Sequence, residues 1–273
     1  MTEIEIIKKF SFDIRKNILD MSLNAAASSS HLGGGLSIVE IISVLYCKFL
    51  NLTKDPKDPN RNRFVLSKGH GVLPYYAALY LKGYLQKEDL QLFEKTNGKL
   101  FGHPIMNRDL GIEFSTGSLG MGISIAVGLS MSFKKRKKDN KVFVLIGDGE
   151  CNEGSVWEAA MSSVHHNLDN LTIIVDHNGF QQTGSNNEIN KVISLKNKWQ
   201  SFGLEVIELD GHNITDLINA FEKKFEKPKL ILANTVKGKG FSFSENNNDW
   251  HHKILTKTNY DQAIKELNSN YGI

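Results

Sequence analysis

Val142-Phe-Val-Leu-Ile-Gly-Asp-Gly149 is an apolar run that ends in an acidic residue between two glycines. A second mostly apolar run, Leu171-Thr-Ile-Ile-Val175, leads into Asp176-His-Asn178. Short apolar runs bounded by turn residues are typical of strands buried in a parallel sheet. Ligands of doubly wound sheets bind beyond the carboxyl ends of such strands. We therefore expect Asp148 and Asn178 to lie side by side over one crevice.

Strand and helix patterns alternate on both sides of these runs. Predicted strands cover residues 63–66, 141–146, 171–175, 204–209 and 230–234. Predicted helices cover residues 10–27, 38–50, 71–81, 121–133, 153–166, 192–202 and 214–225. A capping-box pattern of Ser37 with Glu40 precedes the second of these helices. This order predicts an α/β fold, a doubly wound, mostly parallel sheet with helices on both faces, in one domain over residues 1–273.

Composition narrows the classes of function. The 273 residues are 40% hydrophobic and 23% charged, as in an ordinary globular protein. The net charge of +3 is small for this length and gives no reason to expect nucleic-acid binding. The basic cluster Lys134–Lys138 follows a predicted helix, so a solvated helix end is favoured over a nucleic-acid patch. Residues Met1–Ile7 lack the features of a signal peptide, and no apolar run could span a bilayer. We expect a cytoplasmic protein that binds neither membrane nor nucleic acid.

The two cysteines, Cys47 and Cys151, lie far apart in the sequence and form no metal-ligand or redox pair. Reduced thiols fit a cytoplasmic location. Cys151 lies close to the Gly-Asp-Gly turn and could be a nucleophile or a small space-filling residue. Because no base is adjacent in the sequence, we favour the second interpretation.

The Gly-Asp-Gly turn suits a phosphate ligand and a cation. Gly147 and Gly149 would let a diphosphate approach the backbone closely, and the helix that follows would present free N–H groups. Mg²⁺ prefers oxygen ligands of the kind that Asp148 and Asn178 offer. Taken alone, Asp148 could cap a helix and Asn178-Gly179 could be an ordinary turn. Their joint occurrence at two strand ends favours a metal and diphosphate site.

The full set of motifs resembles the thiamine diphosphate enzymes and, more narrowly, the N-terminal half of the transketolases. The resemblance runs nearly from end to end of the chain. It is carried by His31-Leu-Gly-Gly-Gly35, Ser67-Lys-Gly-His70, Gly102-His-Pro104, Ser115-Thr-Gly-Ser-Leu-Gly120, Gly147-Asp-Gly-Glu-Cys-Asn-Glu-Gly154, Asp176-His-Asn178, Thr235-Val-Lys-Gly-Lys-Gly240 and Trp250-His251.

This resemblance implies a thiamine diphosphate-binding fold that holds thiamine diphosphate and Mg²⁺, or Ca²⁺ or Mn²⁺ in its place. The implied metal ligands are the side chains of Asp148 and Asn178 and the backbone carbonyl of Phe180. Glu153 resembles an acidic residue in a carboxylate network between two cofactor sites, to which Glu158 would also belong. The implied cofactor-binding residues are Gly117, Leu119, Gly147, Asp148, Gly149, Glu153 and Asn178.

Four histidines, His31, His70, His103 and His251, match substrate positions of the family. Imidazoles titrate near neutrality and can donate hydrogen bonds to sugar hydroxyls, so the resemblance implies that they act in catalysis together with Glu153. Each of them taken alone could be an ordinary hydrogen-bonded loop residue. Lys237 and Lys239 could likewise be a phosphate contact or a mobile charged loop.

The resemblance also implies a split enzyme. This chain would be the single diphosphate-binding (PP-type) domain, and a partner chain would carry the pyrimidine-binding and C-terminal domains in an α2β2 assembly. The implied reaction is two-carbon ketol transfer between a ketose phosphate and an aldose phosphate, active only with the partner. Alternatives are a specialised transketolase for an unusual sugar, a 1-deoxyxylulose-phosphate synthase-like enzyme, a 2-oxo acid dehydrogenase-like subunit, and a protein that has lost its chemistry.

Overall fold

Five strands form one sheet in which every neighbouring pair is parallel. The computed structural model describes residues 1–271. The strands are β1 (Arg63–Leu66), β2 (Val142–Gly147), β3 (Leu171–His177), β4 (Glu205–Asp210) and β5 (Lys229–Asn234). Their spatial order is β1-β2-β3-β5-β4. The predicted α/β fold with a parallel sheet is confirmed, and all five predicted strands are present with ends shifted by three residues or fewer.

Helices pack on both faces of this sheet, as the sequence predicts. They are α1 (Glu3–Ala25), α2 (Leu32–Leu36), α3 (Val39–Val44), α4 (Val72–Leu81), α5 (Lys87–Gln91), α6 (Met121–Lys135), α7 (Gly154–His165), α8 (Asn186–Ile189), α9 (Leu195–Ser201), α10 (Ile214–Glu222) and α11 (Lys257–Tyr271).

The two faces of the sheet belong to two hydrophobic cores. Leu145 and Ile174 face the core that includes residues of α1, α3, α4 and α10. Val144 and Ile173 face the core that includes residues of α6, α7 and α9. Because side chains alternate between the faces of a strand, an apolar run such as β2 is buried along its whole length.

The capping prediction at Ser37 is wrong. The helix that follows is α3, which Ile38 precedes without a side-chain cap. The Ser37 hydroxyl instead donates to the Gly34 carbonyl and, at 2.7 Å, to the Asp176 carboxylate. The Glu40 carboxylate accepts a hydrogen bond from Arg15. Ser37 and Glu40, which the local pattern assigned to a helix cap, therefore bond instead with residues that are distant in the sequence.

Helix α1 begins earlier, and helix α6 ends later, than the sequence predicts. Helix α1 begins at Glu3 rather than at residue 10, because Thr2 and Glu5 form a capping box ahead of it. Helix α6 ends at Lys135, so the first two members of the basic cluster lie exposed in its last turn, as predicted. Among residues 1–271, no helix has the length and apolarity that crossing a membrane would require.

Candidate active site

A cavity of about 450 Å³ opens at the carboxyl edge of the sheet, where the loops after β1, β2, β3 and β5 meet. Every residue that the sequence analysis assigned to metal, cofactor or catalysis lines this cavity. These residues are His31, His70, His103, Gly117, Leu119, Gly147, Asp148, Gly149, Glu153, Asn178, Phe180 and His251. The structure thus brings together side chains from distant parts of the chain, and their individual roles remain predictions.

Sheet register brings Asp148 and Asn178 to the same level. Gly147 of β2 pairs with Asp176 of β3, so the residues just beyond each strand face one crevice. The Asp148 carboxylate is buried and accepts from the backbone N–H groups of Gly149 at 2.8 Å and Gly179 at 2.6 Å. Burial and the nearby charge of Asp176 raise the pKa of Asp148.

The oxygen donors at this crevice suit a hard divalent cation. Asn178 donates its amide N–H to Asp176, which orients the amide, and its oxygen accepts the Phe180 N–H at 3.0 Å. No three His, Cys, Asp or Glu side chains within residues 1–271 are arranged to hold a metal. A cation held by one carboxylate, one amide and one backbone carbonyl needs further oxygens, which a diphosphate and water would supply.

Beneath this crevice lies a buried ion pair that the sequence analysis did not identify. Lys68, just after β1, contacts Asp176 at 2.5 Å, and the two side chains are 1% and 0% exposed. Asp176 also accepts from Ser37, Thr235 and Asn178. Burial alone would raise the pKa of Asp176, but the Lys68 charge and these hydrogen bonds hold it below its usual range.

Lys237 provides a second buried cation at the cavity. Its ammonium donates to the Gln181 carbonyl and to Asn248, and it lies 3.1 Å from His251 Nδ1. Burial, with a smaller contribution from the Lys68 charge, lowers the pKa of Lys237 to about 8. Lys237 therefore lines the cavity, whereas Lys239 pairs with Glu245 outside the cavity lining, and a phosphate contact at Lys237 stays a prediction.

The turn after β2 carries two glutamates, Glu150 and Glu153, which lie in different environments. Glu150 is buried, and its carboxylate accepts from Ser67 and from the backbone N–H groups of Gly120 and Gly147. Glu153 lies at the cavity but is exposed, and its carboxylate makes no hydrogen bond within residues 1–271. The network predicted for Glu153 and Glu158 between two sites stays a prediction.

The four predicted histidines form one cluster in the cavity lining. The ring centroid of His31 lies 5.9 Å from that of His70, 5.2 Å from that of His103 and 5.4 Å from that of His251. His252 joins the cluster at 4.4 Å from His31. The sequence analysis assigned no role to His252, which directly follows His251.

Burial and mutual repulsion keep these rings neutral. Burial, followed by the charges of neighbouring histidines and Lys237, lowers the pKa of His31 to about 3. Burial and the nearby lysines lower the pKa of His251 to about 4. The pKa of His70 is also lowered well below its usual value, mainly by burial. Neutral imidazoles can each accept one hydrogen bond and donate another, as hydroxyl-rich ligands require.

At two glycines that line the cavity, a larger residue would collide with a neighbouring side chain. At Gly117, with φ of +131°, a Cβ would lie 2.8 Å from the His103 ring. At Gly149 a Cβ would lie 2.8 Å from Gln181 Cγ. The Gln181 side-chain N–H, beside the cavity, is buried and lacks a hydrogen-bond partner within residues 1–271. A buried donor without an acceptor is costly, so an anionic ligand that approaches Gly149 would satisfy it.

Comparisons with known proteins identify the family. The family described as transketolase, thiamine diphosphate binding domain, matches residues 11–273. The chain belongs to the transketolase family.

Transketolase relatives of two lengths match this chain. It is 40% identical to a protein of Actinobacillus succinogenes that is named as a subunit of apulose-4-phosphate transketolase, over 96% of this chain and 95% of that one. It is 42% identical to 6-deoxy-6-sulfo-D-fructose transketolase subunit SqwG of a Clostridium species, covering 87% and 88%. Human transketolase is 35% identical over 93% of this chain, which spans 41% of the human protein.

Solved transketolase structures share the fold. The structure of transketolase from Campylobacter jejuni superposes with a TM-score of 0.89 at 34% identity and covers all of this chain, which spans 43% of that protein. Together with the relatives that are named as transketolase subunits, this confirms the predicted resemblance to the N-terminal part of a split transketolase and the transferase class. The oxo-acid dehydrogenase and synthase alternatives receive no support among these named matches.

Cys151, in the turn that follows β2, lies in an environment that does not favour a nucleophile. Its side chain is buried, its thiol contacts the Gly147 carbonyl, and it is not among the residues that line the cavity. Burial raises the pKa of the Cys151 thiol well above its usual value, which disfavours the reactive thiolate. The space-filling interpretation agrees with this environment.

Proposed function

We propose that this chain is the diphosphate-binding subunit of a two-subunit transketolase. With its partner it would transfer a two-carbon ketol group from a ketose phosphate to an aldose phosphate. The observation that carries the proposal is the convergence of Asp148, Asn178 and four neutral histidines on one cavity at the carboxyl edge of the sheet. A cytoplasmic location stays an expectation from the sequence.

One end of the cavity fits thiamine diphosphate with Mg²⁺, or with Ca²⁺ or Mn²⁺ in its place. Asp148, Asn178 and the Phe180 carbonyl would ligate the cation. Lys68 and Lys237 add positive charge there, and the Gln181 N–H offers a donor for phosphate oxygen. The cofactor would lie against Gly117, Leu119, Gly147, Gly149 and Glu153. When bound, thiamine diphosphate supplies the electron sink on which ketol transfer depends.

At the other end, the histidines would bind and orient the sugar. A cluster of neutral imidazoles can accept a proton from a substrate hydroxyl at one ring and donate a hydrogen bond from another. His103 and the Gly69 backbone next to His70 both lie against Gly117, so these two histidines would stand close to the proposed cofactor. Their lowered pKa values keep them available as acceptors at neutral pH.

The remaining parts of the enzyme would come from a partner. Relatives of this length are named as transketolase subunits, and full-length transketolases are more than twice as long as the matched region. We propose that residues 1–273 are one PP-type domain and that the partner supplies the pyrimidine-binding and C-terminal domains in an α2β2 assembly. The isolated chain would then be inactive.

A specialised sugar is a second candidate for the substrate. Two relatives that match this chain along most of their length are named for apulose 4-phosphate and for 6-deoxy-6-sulfo-D-fructose. The histidine cluster can bind the hydroxyls of any ketose, because neutral imidazoles both donate and accept hydrogen bonds. We therefore leave the donor open between xylulose 5-phosphate and such sugars.

The test is a ketol-transfer assay on this chain co-purified with the product of its neighbouring gene. Mg²⁺, thiamine diphosphate and ribose 5-phosphate are supplied with xylulose 5-phosphate, apulose 4-phosphate or 6-deoxy-6-sulfofructose as donor. We expect turnover of one donor by the pair and none by either chain alone. Full turnover by the purified single chain would contradict the split-enzyme proposal.

A pair of substitutions tests the metal assignment in the same assembly. Asp148→Ala should abolish Mg²⁺-dependent binding of thiamine diphosphate, measured by calorimetry, because it removes the one carboxylate proposed as a ligand. Asp139→Ala, at an exposed position that does not line the cavity, is the matched control and should bind like wild type. Wild-type affinity in Asp148→Ala would rule out Asp148 as a metal ligand.

A further inference from the structure

A histidine outside the cavity lining holds the loop that carries Lys237. The backbone N–H of Val236 donates to His212 Nε2 at 2.9 Å. Because Nε2 accepts this bond, the ring proton of neutral His212 lies on Nδ1, which donates to the Glu40 carboxylate at 2.9 Å. His212 thus joins two groups that lie far apart in the sequence.

Glu40 is itself fixed by a buried partner. Arg15 of α1 contacts the Glu40 carboxylate at 2.6 Å, and their side chains are 4% and 9% exposed. Burial would raise the pKa of Glu40, but Arg15 and the His212 hydrogen bond lower it to about 2, so it is ionised at neutral pH. The series Arg15–Glu40–His212 therefore connects the first helix to the backbone of the loop at Val236.

The residues on either side of Val236 reach into the proposed active site. The Thr235 hydroxyl donates to Asp176, beneath the crevice. The Lys237 ammonium contacts His251 and the Gln181 carbonyl inside the cavity. A shift of the Val236 backbone would therefore move both contacts at once.

We propose that His212 is a positioning residue for ketol transfer. By accepting the Val236 N–H, it fixes the loop so that Lys237 faces the ligand and Thr235 stays on Asp176. This inference rests on the proposed function, since a role in positioning presupposes the reaction. It assigns His212 no contact with substrate, because His212 lies on a different cleft, shared with Arg15 and Glu40.

Two substitutions separate the two bonds of this ring. In His212→Gln the amide oxygen stands near the position of Nε2 and can still accept the Val236 N–H. In His212→Asn the shorter amide stands near Nδ1 and can reach only Glu40. His165→Asn, at an exposed position on α7, is the matched control.

The first measurement is hydrogen exchange of the segment 235–240 in the assembled two-subunit protein. We expect exchange about tenfold faster in His212→Asn, the factor that losing one ordinary hydrogen bond gives, and near wild-type exchange in His212→Gln. The second is binding of thiamine diphosphate with Mg²⁺. We expect a Kd about five- to tenfold higher in His212→Asn, largely rescued in His212→Gln, with Tm values of the two variants close together.

The outcomes also separate this inference from the proposed function. Equal exchange and equal Kd in the two variants, or a loss that follows Tm alone, would overturn the positioning role. If the wild-type assembly turns over no sugar, the proposed function fails, whereas exchange and cofactor binding still decide whether His212 positions the loop. A lower kcat with unchanged KM in His212→Asn would support positioning after the sugar has bound.

Discussion

Replacing Lys68 by methionine should convert the buried ion pair beneath the cavity into a buried unpaired charge. Lys68 and Asp176 are 1% and 0% exposed, so water cannot take over the lost contact. Removing one partner of a buried pair costs about 3–5 kcal/mol. Ser37, Thr235 and Asn178 still donate to Asp176, so we expect the lower end, about 3 kcal/mol at pH 8. At about 2 °C for each kcal/mol, Tm would fall by roughly 6 °C.

The pH dependence of this loss has a definite sign. In the wild type the pKa of Asp176 is lowered, so its contribution to stability is present above the unfolded pKa of about 3.9 and is lost only in stronger acid. Without Lys68, burial would raise the pKa of Asp176 above its unfolded value. Stability would then decline as pH rises from the unfolded pKa toward the folded one. The difference between wild type and Lys68→Met should therefore grow from pH 5 to pH 8.

The assay is urea denaturation at pH 5 and pH 8, with chelator present and thiamine diphosphate absent. Lys134→Met is the matched control, because Lys134 and Asp169 form a pair of similar length that is about half exposed. Exposed pairs contribute about 0–1 kcal/mol. The double variant Lys68→Met, Asp176→Asn leaves no buried charge and should regain part of the loss. A Lys68→Met cost no larger than that of Lys134→Met, or equal at both pH values, would refute this reasoning.

Three further outcomes follow from the site and the helix beside it. Gly122→Ala should destabilise the fold by about 1–3 kcal/mol, since a Cβ there would lie under 3 Å from Ser67. In the same helix a Cβ at Gly128 would meet nothing within 4 Å, so Gly128→Ala should stabilise the fold by about 0.5–1 kcal/mol. Urea denaturation of the two variants compares these free energies. His70→Ala should lower kcat while the Kd of thiamine diphosphate stays near wild type, and a Kd raised in parallel with the loss of kcat would contradict a role toward the sugar. The imidazole resonances of His251 should titrate near pH 4 rather than near 6.5, so NMR spectra should not change between pH 5.5 and 8. The stability that this neutral ring contributes is lost as pH falls below 6.5, because the unfolded state then binds the extra proton.

The fold and the placement of Asp148 and Asn178 follow from local sequence because strand ends determine both. An apolar run that stops at a polar residue fixes where a strand ends, and parallel packing brings all such ends to one edge. This rule alone is enough to predict that Asp148 and Asn178 lie side by side. The histidines are different, since their grouping follows only from the family motif and from tertiary packing.

What sequence reasoning missed were pairs between distant residues. Lys68 and Asp176 each follow a predicted strand, and a cation and an anion at predicted strand ends were the available signal. Their pairing nevertheless depends on the spatial order of the strands. Glu40 was assigned to a local cap, yet Arg15 and His212 offer a buried carboxylate more than a helix start does. In the turn after β2, sequence alone could not decide which glutamate faces inward, because the short helical turn Gly149–Asn152 sets that direction.

The spacing of the histidine rings means that they titrate as one polyprotic unit. The rings of His70, His103 and His251 lie within 6 Å of the His31 ring, so a proton on any of these four disfavours a proton on the next. Apparent pKa values of such coupled groups belong to the set rather than to single members. Replacing one ring by an uncharged residue removes a competitor and raises the proton affinity of those that remain. The acid limb of a pH–rate profile would then move in every single-histidine variant, including variants of rings that never contact the sugar.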